Sequence, residues 1–276
     1  MSSHPHFITL QNVFFEEQYQ YQGAQAVGHR DVTLVLVLEH AVRRDLFELL
    51  VEGPLSEEIT RKLFQQLVCA VDYMHGLDIV HRNLTPENLL LDGNGNLKIT
   101  DFGLCHYGRT STTKNCGTPN YCAPEVIFDD GIYSQQYDAQ KADIWSCGVN
   151  LFVFCTGCLP FDHENLPMVF SMIREGSYKY PSNVHPPPDL KALIWRILNP
   201  DPGHRFSIAD IKKVPWFACD SEHAGEVVRL WMEGEGTSEY PEHNPEPHWR
   251  EPSLMTSSES GVEGDNAASE IMPTIP

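Results

Sequence analysis

HRNLTPENLLLDGNGNLKITDFG, residues 81–103, reads as a loop, a strand, a tight turn, a second strand and a further turn. Leu89, Leu90 and Leu91 form one short apolar run; Leu97, Lys98, Ile99 and Thr100 form another of strand type. The five residues between them, DGNGN, tolerate the positive φ that a hairpin turn requires. A hairpin brings its outer ends together, so Asn88 and Asp101 are expected to lie close in space. An amide oxygen and a carboxylate converging at a loop mouth suit Mg²⁺ and phosphate, not zinc.

The surrounding composition narrows the class. The 276 residues suffice for one large domain or two modest ones, with ample core. No basic region followed by an apolar stretch opens the sequence, so no signal peptide is expected. The longest apolar run, residues 149–161, is broken by Asn150, Thr156 and Gly157 and suits a buried helix better than a membrane span. Eight scattered cysteines fit reduced thiols, and the lone CxxC at Cys155 and Cys158 reads as core packing. A net charge of −19 argues against nucleic acid or an anionic membrane as partner. Residues 220–276 hold 13 acidic and 2 basic residues, are rich in Pro, Ser, Gly and Glu, and lose apolar periodicity. They are expected to be a disordered acidic tail, with VVRLWM (227–232) a solvated spacer or a docking segment.

Upstream, HPHFITLQNVFF within residues 1–17 reads as one strand, 18–30 as a polar loop, and TLVLVL (33–38) as a second strand. Residues 56–75 place Ile59, Leu63, Leu67, Val71 and Met74 on one helical face. Ser56 is the expected N-cap, followed by Glu57 and Glu58 in the first turn.

These motifs, in this order, resemble the eukaryotic protein kinase family, whose catalytic loop reads H-R-D-x-x-x-x-N and whose metal turn reads D-F-G. The likeness runs from about residue 4 to 217 and is nearest to serine/threonine kinases of the AMP-activated and calcium/calmodulin-dependent group. It implies an α+β, kinase-like fold: a remnant of the smaller lobe and hinge (1–41) with about two strands, a mainly helical larger lobe (42–219), and the tail (220–276). By resemblance, Leu38 is the gatekeeper, residues 39–41 (Glu39, His40, Ala41) are the hinge, and Asp45 and Leu90 complete the nucleotide positions. Arg43 and Arg44 replace common small glycines at the pocket lip. Asn88 and Asp101 are the implied metal ligands, with Mg-nucleotide contact and a purely structural relic left equally open. His81, Phe102 and Gly103 are implied packing and turn residues. Asp143 is expected to hold the catalytic-loop backbone. Thr118 belongs to GTPNYCAPE, whose Glu125 would pair with Arg205. Asp45 and Glu87 match acidic positions that select arginine in substrates.

The departures carry as much information. Asn83 stands where the family has its catalytic aspartate, and Thr85 where a lysine faces the transferred phosphate. The first lysine in the sequence is Lys62, and no GxGxxG occurs, so the glycine loop and strand lysine of the family have no counterpart here. By resemblance the sequence opens near the fourth strand of the smaller lobe. The usual phosphorylated threonine position holds Lys114; Thr112 and Thr113 sit beside it, with Arg82 the implied phosphate partner. Losing a general base costs about 10²–10⁴-fold, and removing cationic stabilisation of the phosphoryl group adds to that. The expectation is a degenerate or truncated kinase that binds protein partners or substrates, holding ATP and Mg²⁺ weakly. An active ATP-dependent serine/threonine kinase is the alternative. The cytoplasm is the expected compartment, the nucleus stays open, and oligomeric state is not encoded in any visible motif.

Overall fold

The computed structural model describes residues 4–22, 25–41, 45–128, 136–219 and 224–233. It opens with a long antiparallel hairpin, β1 (Leu10–Gln22) and β2 (Gln25–Leu38), paired from Leu10↔Leu38 to Gln22↔Gln25. The polar stretch 18–30, expected as a loop, therefore lies mostly in the two strands, because the ladder is made by backbone hydrogen bonds that polar residues also supply. The expected first strand also divides. Only its second half is β1; residues 6–8 instead line up in parallel beside Ile99, with Ile8 N–H to Ile99 O at 3.0 Å and Ile99 N–H to His6 O at 2.9 Å. Apolar side chains on both hairpin faces meet solvent: Phe14 is 50 % and Phe15 72 % exposed.

The core lies beyond the hinge. After α1 (Leu46–Leu50), helix α2 (Glu57–Gly76) buries the expected face of Ile59, Leu63, Leu67, Val71 and Met74. Ser56 Oγ accepts the Ile59 N–H at 3.3 Å, the predicted cap. Strand β3 (Ile79–Val80) leads to the β4 (Leu89–Leu91) and β5 (Leu97–Ile99) hairpin. Its turn is closed by Asp92, whose Oδ1 accepts from the backbones of Asn94 (2.8 Å) and Asn96 (2.9 Å), with Gly95 at φ +76°. Then come β6 (His106–Tyr107), which pairs with β3, β7 (Thr110–Ser111), the short α3 (Pro124–Ile127), and β8 (Tyr137–Asp138), which pairs with β7.

Helix α4 (Ala139–Thr156) is buried almost throughout and packs on α2. It starts four residues before Asp143, where the apolar run begins, because Asp138 accepts the N–H groups of Gln140 and Lys141 and caps the additional turn. Gly148 in its middle permits close approach to α6 (Pro188–Ile197): an added Cβ would come within 2.4 Å of Ile197 Cγ2. Helices α5 (Leu166–Glu175), α7 (Ile208–Ile211) and α8 (Pro215–Ala218) complete the lobe. Cys155 is buried in α4, its thiol pushed up to about 12 by desolvation, in keeping with core packing, whereas Cys158, just past the end of the helix, is exposed and departs from that expectation.

The stretch expected as disordered tail begins otherwise. Ala224–Met232 is a helix, α9, lying on α2 with Val228 fully buried and Val227, Trp231 and Met232 packed against the core. One apolar stripe of nine residues had been outweighed by the acidic composition around it. The remainder of the tail, and Arg43 and Arg44, fall outside the described residues.

These burials predict a contrast. Val228→Ala is expected to cost about 1–3 kcal/mol in urea unfolding through lost burial and a cavity, whereas Phe15→Ser stays within about 0.5 kcal/mol. Equal effects of the two would contradict this packing.

Candidate functional site

The loop joining β3 to β4 is organised by one buried carboxylate. Asp143, on α4, accepts the backbone N–H of His81 at 2.9 Å and of Arg82 at 2.8 Å, and His75 Nε2 sits 2.9 Å from the same group. Arg82 has φ +67°, a conformation that costs a non-glycine residue and persists only where its surroundings impose it. The two N–H groups on Asp143 supply that constraint.

His81 is buried and continues the network. Its Nδ1 accepts the Asn83 N–H at 3.3 Å, which leaves Nε2 to donate to Thr100 O at 3.0 Å. Burial holds its pKa below the usual histidine value, against the opposing pull of Asp143, so the ring is neutral here.

Asn83 is held from three sides. Its side-chain Oδ1 accepts from Thr118 Oγ1 at 3.1 Å, its carbonyl accepts from Asn88 Nδ2 at 2.9 Å, and its N–H meets His81. Thr118 is thus brought to the catalytic loop, and Gly117 before it allows the approach: with φ +93°, an added Cβ would fall 2.5 Å from Arg82 O. Any side chain there would push the two loops apart.

Asn88 and Asp101 flank the two strands of the hairpin, and the register brings their backbones into neighbouring positions. Leu89 pairs with Ile99, and Thr100 N–H donates to Asn88 O at 3.0 Å. Commitment of the Asn88 amide nitrogen to Asn83 leaves Oδ1 as the group able to meet a cation. Asp101 is exposed, at φ +58°, and Oδ1 accepts the Gly103 N–H at 3.2 Å. An amide oxygen and an exposed carboxylate are donor types suited to a hard cation. Among the described residues no cluster of three His, Cys, Asp or Glu side chains could hold a metal ion. Phe102 stacks edge-on against His81 and Phe7, with 37 % of its surface exposed.

The residues that the resemblance assigns to nucleotide lie at the end of β2, before α1 and on β4. Leu38 is exposed at the end of β2, and Ala41 is half-buried. Glu39 N–H donates to Thr9 O at 2.8 Å, and its carboxylate pairs with Lys98 Nζ at 2.8 Å. That bond, with the Thr9 N–H, holds the Glu39 pKa below the ordinary carboxylate value. Lys98 lies opposite Leu90 in the ladder, and Leu90 bridges Asp45. Asp45 itself caps α1 through the Glu48 N–H at 2.8 Å. Lys98 was not singled out from sequence; its one signal was a charge alternating with buried residues on β5, a pattern equally suited to a solvated lysine.

Farther out, Glu125 and Arg205 form a buried bidentate pair, at 2.5 and 2.9 Å, with the guanidinium also donating to Lys141 O and Asn199 O. Thr112 and Thr113 are exposed, while Arg82 Nε donates to Leu104 O at 2.6 Å. Glu87 Oε2 is buried without a hydrogen-bond partner among the described residues.

Comparison with known proteins agrees with this arrangement. Residues 1–217 match the family model "Protein kinase domain". The chain is 46 % identical over 189 residues to CBL-interacting protein kinase 2 of Oryza sativa subsp. japonica, covering 67 % of this chain and 41 % of that protein. It is 42 % identical over 221 residues to CBL-interacting serine/threonine-protein kinase 20 of Arabidopsis thaliana, covering 78 % and 45 %. The chain thus spans less than half the length of these curated relatives.

Two consequences are measurable. Glu125→Ala strands a buried guanidinium and is expected to lower unfolding stability by about 3–5 kcal/mol; a loss under 1 kcal/mol would contradict the buried pair. Stability is also expected to fall with acidification. The folded pKa of His81 lies below 6.5, so below about pH 6.5 the unfolded chain binds a proton that the folded chain refuses. The slope contributed is at most about 1.4 kcal/mol per pH unit, and His81→Gln should flatten it.

Proposed function

Because the chain belongs to the serine/threonine protein kinase family, we infer that it acts as a kinase-fold binding protein whose phosphotransfer is absent or severely impaired. The observation that carries this is Asn83. An amide side chain occupies the place of the family's proton-accepting carboxylate, and its oxygen is already the acceptor for Thr118 Oγ1. An amide has no useful basicity at neutral pH, so a substrate hydroxyl placed there keeps its proton. Thr85, buried beside it, contributes no positive charge where charge would develop on the phosphoryl group. Both departures lie well inside the matched region, so they do not depend on what precedes residue 1.

Asn88 and Asp101 are the residues that would hold Mg²⁺ with ATP, and the bound ion would neutralise charge on the phosphates. Glu39, Asp45 and Leu90 would meet the adenosine portion. With few contacts gathered above the hairpin, weak nucleotide affinity is the expected outcome. Protein binding has its own support. Glu87 has a buried carboxylate oxygen without a hydrogen-bond partner among the described residues, a group that suits a guanidinium donor. A basic protein segment is therefore the proposed occupant, as a bound partner where no phosphate is transferred.

The purified chain, given ATP, Mg²⁺ and arginine-rich serine peptides, is expected to incorporate no more label than Asp101→Ala does. Steady turnover lost in Asp101→Ala would overturn the proposal in favour of an active serine/threonine kinase. Asn83→Asp alone is not expected to restore transfer; recovery would reduce the defect to the missing carboxylate.

A further inference from the structure

Residue 114 occupies the position at which the family carries its regulatory phosphothreonine, yet here it is a lysine, and its side chain is turned inward. Lys114 Nζ donates to Glu125 O at 2.6 Å and reaches Phe128 O at 3.4 Å, the carbonyls at the start and just past the end of α3. It also lies over the Tyr137 ring, 5.2 Å from the centroid. Carbonyl oxygens and an aromatic face are both suited to an ammonium group.

The neighbouring backbone is tied to the same two elements. Asn115 N–H donates to Val126 O at 3.0 Å, Tyr137 Oη donates to Thr113 O at 2.9 Å, and Ser111 is buried in the β7–β8 pair. Asn115 adopts φ +52°, which turns the chain immediately after the lysine. Ser111, Thr113, Lys114 and Asn115 are therefore each fixed to α3 or to the strand preceding α4.

We propose that Lys114 is an internal cationic pin that holds the segment before Gly117 docked on α3 and Tyr137, making its order independent of phosphorylation. A phosphate on a threonine attracts arginine from outside the segment; the ammonium of Lys114 works in the opposite sense, attracting carbonyls from within the lobe. Since Thr118 reaches Asn83 only when Gly117 passes beside Arg82, the pin also keeps the peptide-facing loop in one conformation. This regulation does not require that phosphotransfer be lost, and it stands or falls separately from the function proposed above.

The test is amide hydrogen exchange on the full unphosphorylated chain, reading Asn115 and its neighbours in the same experiment as the core of α4. In the unmodified protein, the Asn115 amide is expected to be protected. Lys114→Met, which keeps the stem and removes the charge, is expected to raise its exchange by about tenfold or more, the factor that corresponds to one hydrogen bond of ordinary strength. Lys114→Arg should largely preserve protection, and α4 should exchange alike in all three. Thr112→Ala with Thr113→Ala should change nothing. The proposal fails if Asn115 in the unmodified chain exchanges as an open loop, if Lys114→Met matches it, or if protection appears only after Thr112 or Thr113 is phosphorylated. Should Lys114→Met not fold, the unmodified chain and the threonine variant still decide the matter.

Discussion

One carboxylate sets the geometry of this molecule. Asp143 is delivered by a buried helix and takes two consecutive backbone N–H groups from a loop that would otherwise not adopt a left-handed turn at Arg82. Charge-assisted bonds of this kind are about twice as strong as neutral ones and cannot be exchanged for water in a dry interior. Everything functional hangs from that turn. His81 is aimed at Thr100, Asn83 at Thr118, and Asn88 reaches back to Asn83, so the end of β5, the 81–88 loop and the segment at Thr118 share one network.

On the proposed reading, the network keeps its shape without the reagent that proton transfer needs. Asparagine is close in size to aspartate and accepts the same hydrogen bond from Thr118, so nothing in folding penalises the substitution. Proton transfer is a different matter, because it depends on basicity and not on shape. Frame and chemistry can therefore part company at a single atom. The bidentate Glu125–Arg205 pair and the inward-turned Lys114 belong to the frame, and both are internal to the lobe.

Much of this was legible in the sequence. Short-range chemistry spoke clearly: the Asx/Gly turn marked the β4–β5 hairpin, and Ser56 marked the start of α2. The pairings of Asp143 with the loop and Glu125 with Arg205 join residues far apart in the chain; no local pattern encodes them, and only the family resemblance pointed there. Two features were misread for physical reasons. Residues 18–30 looked like a loop because polarity stood in for irregularity, although an exposed two-stranded ladder tolerates polar residues. The α9 stripe was masked by acidic neighbours. Lys114 stands out in the sequence only as the occupant of a threonine position; the carbonyls and aromatic ring that draw it inward carry no sequence signature.

The central claim is that Asp143 holds the 81–83 loop as rigidly as the helical core. The most direct measurement is amide exchange at His81 and Arg82 in the unmodified chain. A loop so held predicts protection equal to that of the α4 core, with exchange only through global unfolding. Exchange at rates typical of an exposed loop, while α4 stays protected, would contradict it.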